Sequence, residues 1–100
     1  MMRWSVGLVA EGDPETDAVV TLEEVVELAD AVAPSSGIAT GGGSVRYGAQ
    51  IVVAADNREE AIERGLAEFE SAVRKAGLPV YPIVHTEAVS ELEDAMDESV

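Results

Sequence analysis

Residues 37–56 read GIATGGGSVRYGAQIVVAAD and place three consecutive glycines between two segments with β-strand character. In the second segment, residues 45–54, side chains alternate in character with the two-residue period of a strand. A glycine-bearing loop of this length between two strands is typical of a β-hairpin. We therefore predict strands over residues 37–40 and 45–54, joined by a turn at residues 41–44.

The three glycines also invite comparison with a phosphate-binding loop, which would indicate an enzyme. Such a loop lies between a strand and the N terminus of a helix, whose amides face the anion. Here the glycines precede a strand, the GxxxxGK[ST] signature is missing, and the nearest cation, Arg46, lies outside the loop. The sequence therefore favours a turn over an anion site.

A helical pattern follows the hairpin. Asp56 and Glu59 have the spacing of a capping box, and Gly77 and Pro79 form a stop signal. The apolar stripe between these signals has the helical period and consists of Ile62, Leu66, Phe69 and Val73. A second helical pattern precedes the hairpin and runs from a capping pair, Thr21 and Glu24, to Pro34.

Two further strands flank these helices, over residues 3–10 and 80–85. Pro82 lies inside the last one, and because proline cannot donate to a sheet, that strand is expected at an edge. The order strand, helix, strand, strand, helix, strand predicts an α+β fold, the ferredoxin-like βαββαβ sandwich. Its four-stranded antiparallel sheet has the order 4-1-3-2, with both helices on one face. We assign residues 1–86 to this domain and residues 87–100 to an acidic C-terminal tail that can form a short helix.

The charge of the chain restricts its partners. Among 100 residues, 20 are acidic and 6 are basic, which gives a net charge of −14. Such a surface repels nucleic acids and anionic membranes, so we predict neither as a partner. The chain has no cysteine, which excludes disulfides and thiolate metal sites, and no signal peptide is recognised. We predict a cytoplasmic protein.

The sheet face that the helices leave uncovered, here called the open face, is the most informative candidate site. It is predicted to carry Ser5, Gly7, Val9, Arg46, Gly48, Gln50 and Val52. Small residues permit close approach of another molecule. We therefore predict contacts of a partner or ligand at Arg46, Gly48 and Gln50. The partner is a second copy of this chain or another protein, with a small-molecule ligand as the alternative.

No catalytic or metal-binding constellation is recognisable. His85 is the single histidine, and Glu87 is its nearest acidic neighbour in the sequence. A solvent-facing histidine at a strand end is the simpler interpretation. We predict no catalytic residue, no metal site and no cofactor. The alternative is a small enzyme of the dimeric α+β-barrel kind, with His85 or Arg46 acting on a substrate at the sheet.

Three resemblances extend this interpretation. The segment DNREEAIERGLAEFESAVRKAGLP, residues 56–79, resembles the helix of HicB-like antitoxin domains. The whole pattern, including AGLPVYPIVHTEAVSELED at residues 76–94, is similar to small uncharacterised ferredoxin-like proteins of high-GC actinobacteria, which imply no known activity. The element order is also similar to that of ACT-type regulatory domains, which bind amino acids at dimer interfaces near a glycine after the first strand. This last resemblance implies a ligand contact at Gly12, within EGDPETD (residues 11–17).

The function predicted from the sequence is a non-enzymatic interaction or regulatory module that dimerises through its sheet. Three alternatives stay open at this point. They are a small-molecule sensor of the ACT type, an antitoxin of the HicB type, and a small dimeric enzyme.

Overall fold

A computed structural model describes residues 2–90. The strands are β1 (Met2–Glu11), β2 (Ile38–Gly41), β3 (Arg46–Ala55) and β4 (Ile83–Ser90). The helices are α1 (Leu22–Val32), followed by a 3₁₀ turn (Ala33–Ser35), and α2 (Arg58–Ala76). No helix in this part of the chain is long and apolar enough to cross a membrane.

The four strands form one sheet with the order β2-β3-β1-β4. Every neighbouring pair is antiparallel. This is the predicted order 4-1-3-2 followed from the opposite edge, so the predicted topology is confirmed within residues 2–90. The architecture is α+β and consistent with a ferredoxin-like arrangement. β4 lies at an edge of the sheet, as predicted, although Pro82 precedes the strand and does not lie inside it.

Gly41 ends β2 and pairs with Tyr47, and Gly42 and Gly43 begin the turn of the β2–β3 hairpin. All three have positive φ angles, 123°, 109° and 78°, which favour glycine over residues with a side chain. The Gly43 amide donates a hydrogen bond of 2.9 Å to the carbonyl oxygen of Val20. An amide that a phosphate group would need is therefore already used within the fold, in agreement with the turn interpretation.

Each helix begins at a side-chain cap. The predicted capping box of α1 is confirmed: Thr21 Oγ1 accepts from the Glu24 amide at 3.1 Å, and Glu24 Oε1 accepts from the Thr21 amide at 2.9 Å. For α2 the prediction was wrong by one residue. Asn57 is the N-cap, and its Oδ1 accepts from the Glu60 amide at 2.9 Å. Asp56 directly follows β3, which ends at Ala55, so the chain reaches the start of α2 one residue later, at Asn57.

The core lies between the sheet and the helices. Alternate residues of β1, from Trp4 to Ala10, and of β3, from Tyr47 to Ala55, are buried on this side. The same core cluster includes Leu28 of α1 and Phe69 of α2, both almost fully buried. Helix α2 approaches the sheet closely at Gly65, where a Cβ atom would lie 2.6 Å from Val6 Cγ1.

The last strand differs from its predicted bounds. β4 begins after Pro82 and continues to Ser90, so residues 87–90 belong to the sheet and not to the predicted tail. They pair with β1 from Gly7, opposite Glu87, to Trp4, opposite Ser90. The remainder of the predicted tail, residues 91–100, lies outside the described residues.

Candidate interaction site

The register of β1 with β3 defines the open face. Residues directly opposite each other on neighbouring strands project to the same side of the sheet. Three such pairs are Ser5–Val52, Gly7–Gln50 and Val9–Gly48, and Glu11 lies opposite Arg46 at the end of the ladder. The intervening β1 residues, such as Val6 and Leu8, are buried under the helices. The predicted membership of the open face is therefore confirmed for all seven residues.

The two edge strands add residues that the sequence analysis did not place on this face. Pairing with β1 adds His85, Glu87 and Val89 from β4. Pairing with β3 adds Ile38 and Thr40 from β2. The sequence pattern of β2 and β4 was too short or too irregular to show which side chains share the open face, and a register shift near Val9 changes the parity of β4.

Large and small residues alternate across the centre of the open face. Val9 projects beside the position of Gly48, which has no side chain, and Gln50 projects beside that of Gly7. A shallow depression of about 360 Å³ lies on this face. It is lined by Gly7, Leu8, Val9, Ile38, Thr40, Ala49, Gln50, His85 and Glu87. Gly7 and Gly48 are themselves buried, because side chains of the same chain cover them: Glu87 lies over Gly7, and Val9 and Thr40 lie over Gly48.

The two glycines have different reasons to lack a side chain. A Cβ at Gly48 would lie 2.6 Å from the backbone oxygen of Leu8, which cannot move without distorting the sheet. A Cβ at Gly7 would meet only the side chain of Glu87, at 3.1 Å, and that side chain is long and exposed. Packing within the chain therefore requires glycine at 48, whereas a larger residue at 7 fits only if the Glu87 side chain moves aside.

The charges of the open face nearly cancel. Glu11 and Arg46 are opposite each other at one end, and Arg3 lies opposite Ala54 at the other. On β4, His85 Nε2 lies 4.0 Å from Glu87 Oε2, and both side chains are more than half exposed. Both groups are exposed, so they do not form a buried acid–base pair and they leave this part of the face open to a partner.

Gly12 does not join the other predicted contact residues. It follows the end of β1, and its amide donates to the carbonyl oxygen of Val45 at 2.9 Å. The space where its side chain would be is filled, because a Cβ there would lie 2.7 Å from Asp17 Oδ2 and 2.9 Å from the Tyr81 ring. Gly12 therefore permits tight packing of a loop and leaves no room there for a ligand.

Two tyrosines that the sequence analysis did not single out each donate a hydrogen bond to a connecting segment. Tyr47 donates a hydrogen bond of 2.6 Å to the carbonyl oxygen of Pro79, and Tyr81 donates one of 2.5 Å to that of Ala18. Burial is the main cause that raises the pKa of Tyr47 and that of Tyr81, so both phenols stay protonated. A buried tyrosine needs a hydrogen-bond partner, and here both partners lie in connecting segments.

No group of three His, Asp or Glu side chains within residues 2–90 is placed to hold a metal ion. No protein-family model, curated protein or solved structure matches this chain. The arguments for a function therefore rest on the geometry and the charge of the open face.

Proposed function

We propose that this chain is a non-enzymatic interaction module with a ferredoxin-like fold, and that it forms a homodimer through its open face. The observation that carries the proposal is the charge of this face. Of the six basic side chains in the sequence, Arg3 and Arg46 lie on it, and they balance Glu11 and Glu87. A nearly neutral face on a chain with a net charge of −14 is where a second copy meets least repulsion.

The apolar content of the open face supports the same proposal. Val9, Val52 and Val89 are each partly exposed near its centre, and Ile38 is 64% exposed on the edge strand β2. Interface centres are depleted of charge and enriched in apolar surface, with polar groups at the rim. Here Thr40, Gln50 and His85 supply such polar groups around the valines.

Sedimentation equilibrium of the natively purified chain over a range of concentrations tests this proposal. We expect a homodimer that dissociates on dilution. Ile38→Glu, which places a charge on the open face, should weaken the dimer. Val26→Glu is the matched control. The substitution makes the same change of charge, and Val26 is 52% exposed on α1, outside the proposed interface. A monomer at high micromolar concentration, or equal effects of both substitutions, would contradict the proposal.

The depression on the open face favours small-molecule binding as a second candidate function. Its volume of about 360 Å³ lies within the usual range of ligand sites, and Thr40, Gln50, His85 and Glu87 offer both donors and acceptors. A thermal-shift screen with free amino acids tests this candidate. A shift that Gln50→Leu abolishes would support it, and the lack of any shift for the wild-type chain would count against it.

A further inference from the structure

The outer side of α1 carries apolar side chains that the fold does not cover. Leu22 and Val26 are 71% and 52% exposed, Ala29 is half-buried, and Ala33 directly after the helix is exposed. These four residues have the spacing i, i+4, i+7 and i+11, so their side chains form one continuous row along the helix. We call this row the outer stripe. The packing of α1 against the core is supplied by three other residues, Val25, Leu28 and Val32.

This helix has more apolar surface than its place in the fold requires. A helix at the surface of a globular protein normally has one apolar face, which is directed at the core. In α1 the buried residues fill that face, and the outer stripe lies about 100° further round the helix, since each residue advances by about 100°. Val19, two positions before the N-cap, adds another large apolar side chain that is 55% exposed. Contiguous exposed apolar surface of this kind is typical of a contact with another protein.

The segment that presents the outer stripe is held in place by the hairpin. The Val20 amide donates a hydrogen bond of 2.7 Å to the carbonyl oxygen of Ser44, and the Val20 carbonyl oxygen accepts one of 2.9 Å from the Gly43 amide. The Val20 side chain is fully buried, and the capping box of Thr21 follows directly. A partner therefore binds α1 without having to order it first, which favours affinity.

The charge around the outer stripe is uniformly negative. Residues 4–45 contain no lysine or arginine. Within α1, Glu23, Glu27 and Asp30 are exposed and lie on the side of the outer stripe that faces away from the core. The other helix differs, because α2 carries five acidic and four basic residues, a net charge of −1. The acidity beside the outer stripe is therefore a property of α1 and not of helices in this chain generally.

A second copy of this chain does not suit this surface. Two outer stripes in contact would bring the acidic residues of one α1 against those of the other, with no basic residue of either helix between them. Like charges opposed in this way cost free energy. The open face, where acidic and basic residues balance, is the contact proposed for the second copy. The partner of α1 must instead be basic.

We infer that the outer stripe of α1 binds a basic amphipathic helix of another protein. A helix fits because a row of side chains at i, i+4 and i+7 forms a ridge that packs into the groove of a second helix. Apolar residues of the partner contact Leu22 and Val26. Its lysine or arginine side chains lie against Glu23, Glu27 and Asp30. This contact goes beyond the proposed homodimer and lies on the opposite side of the sheet from the open face.

Isothermal titration calorimetry of the full chain with two synthetic peptides tests this inference. The probe is a peptide of leucine and lysine whose leucines recur at i, i+3, i+4 and i+7, and the control peptide has the same composition in shuffled order. The ordered peptide should bind at least about tenfold more tightly than the shuffled one.

Neutral substitutions on the chain locate the site. Leu22→Gln combined with Val26→Gln leaves the net charge at −14 and should weaken binding of the ordered peptide at least about tenfold. Val80→Gln combined with Val84→Gln is the matched control, since these two valines are 76% and 52% exposed and lie outside α1. It should change the affinity by less than about twofold.

Equal binding of the two peptides, or none, would overturn the inference, because attraction by net charge alone needs no apolar row. Unchanged affinity of the α1 double variant would overturn it as well. The proposed homodimer is tested separately, since this double variant should sediment like the wild type. If it dissociates the homodimer while Ile38→Glu does not, the occupant of the outer stripe is a second copy, which overturns this inference and the open-face dimer together. Circular dichroism of each variant shows that it is folded.

Discussion

Val9 of β1 lies directly opposite Gly48 of β3 on the open face of the sheet. The neighbouring pair reverses this order, since Gly7 on β1 lies opposite Gln50 on β3. The larger side chains and the glycines therefore alternate diagonally across the face.

Gly7 on the open face provides a size series. Gly7→Ala and Gly7→Val should leave the free energy of unfolding unchanged or raise it by up to about 1 kcal/mol, because strands favour residues other than glycine. The Glu87 side chain, 3.1 Å from the new Cβ, can move aside. The dimer dissociation constant should rise from Gly to Ala to Val, measured by sedimentation equilibrium beside urea unfolding. A dissociation constant that does not change across the series would place Gly7 outside the proposed interface.

Gly65 provides a test of packing between α2 and the sheet. Helix propensity alone predicts that Gly65→Ala stabilises the protein by about 1 kcal/mol. The 2.6 Å contact with Val6 Cγ1 predicts the opposite, a loss of about 1–3 kcal/mol from overpacking. Urea unfolding measures the difference. The loss should shrink in a Val6→Ala background, and stabilisation by Gly65→Ala would show that the helix does not lie as close as described.

The cap of α2 can be assigned by a pair of neighbouring substitutions. Asn57→Ala removes the hydrogen bond to the Glu60 amide and should cost about 1 kcal/mol of unfolding free energy. Asp56→Ala is the matched control and should change stability by less than about 0.5 kcal/mol. Urea denaturation of both variants in parallel gives the comparison. A larger cost at Asp56 would restore the cap predicted from the sequence.

The buried phenol of Tyr47 predicts how stability depends on alkaline pH. Burial raises the pKa of Tyr47 above its usual value of 10.0, so the unfolded chain loses this proton first. The corresponding stability is present below the usual pKa and is lost as the pH rises through the higher value in the folded state. Chemical denaturation across this range should show a steeper decline for the wild type than for Tyr47→Phe.

A second effect of Tyr47→Phe appears at neutral pH, where the phenol is protonated in both states. Loss of the hydrogen bond to Pro79 should cost about 0.5–1.5 kcal/mol. The wild type and the variant should therefore converge as the pH rises. Curves of stability against pH that stay parallel would show that the pKa of Tyr47 is the same in the folded and unfolded chains.

Much of the fold could be predicted from local sequence signals. The capping box at Thr21 and the stop signal at Gly77 both appear in the structure, since each depends on residues within a few positions of one another. The hairpin glycines were equally predictable, because a chain reversal with positive φ angles favours glycine. The cap of α2 was misplaced by one residue, because Asp56 and Asn57 are both good caps and only the end of β3 selects between them.

The candidate site could be predicted only in part. The alternation of β1 and β3 assigned the central residues of the open face correctly, whereas the contribution of β4 depends on a register shift that no local pattern reveals. For Gly12, the sequence predicted a ligand contact where the structure leaves no space. A glycine in a loop looks available for a ligand, but the structure fills its surroundings with Asp17 and Tyr81, which lie 5 and 69 positions further along the chain.

By itself, the sequence determined the order of strands and helices, the side of each central strand that is buried, and the strongly acidic character of the chain, because all of these follow from local periodicity and composition. Only the tertiary structure decided which residues of different strands lie opposite one another. Strand register depends on packing between segments distant in the chain. That register brings Val9 to Gly48 and Glu11 to Arg46, and so sets the shape and the charge balance of the open face.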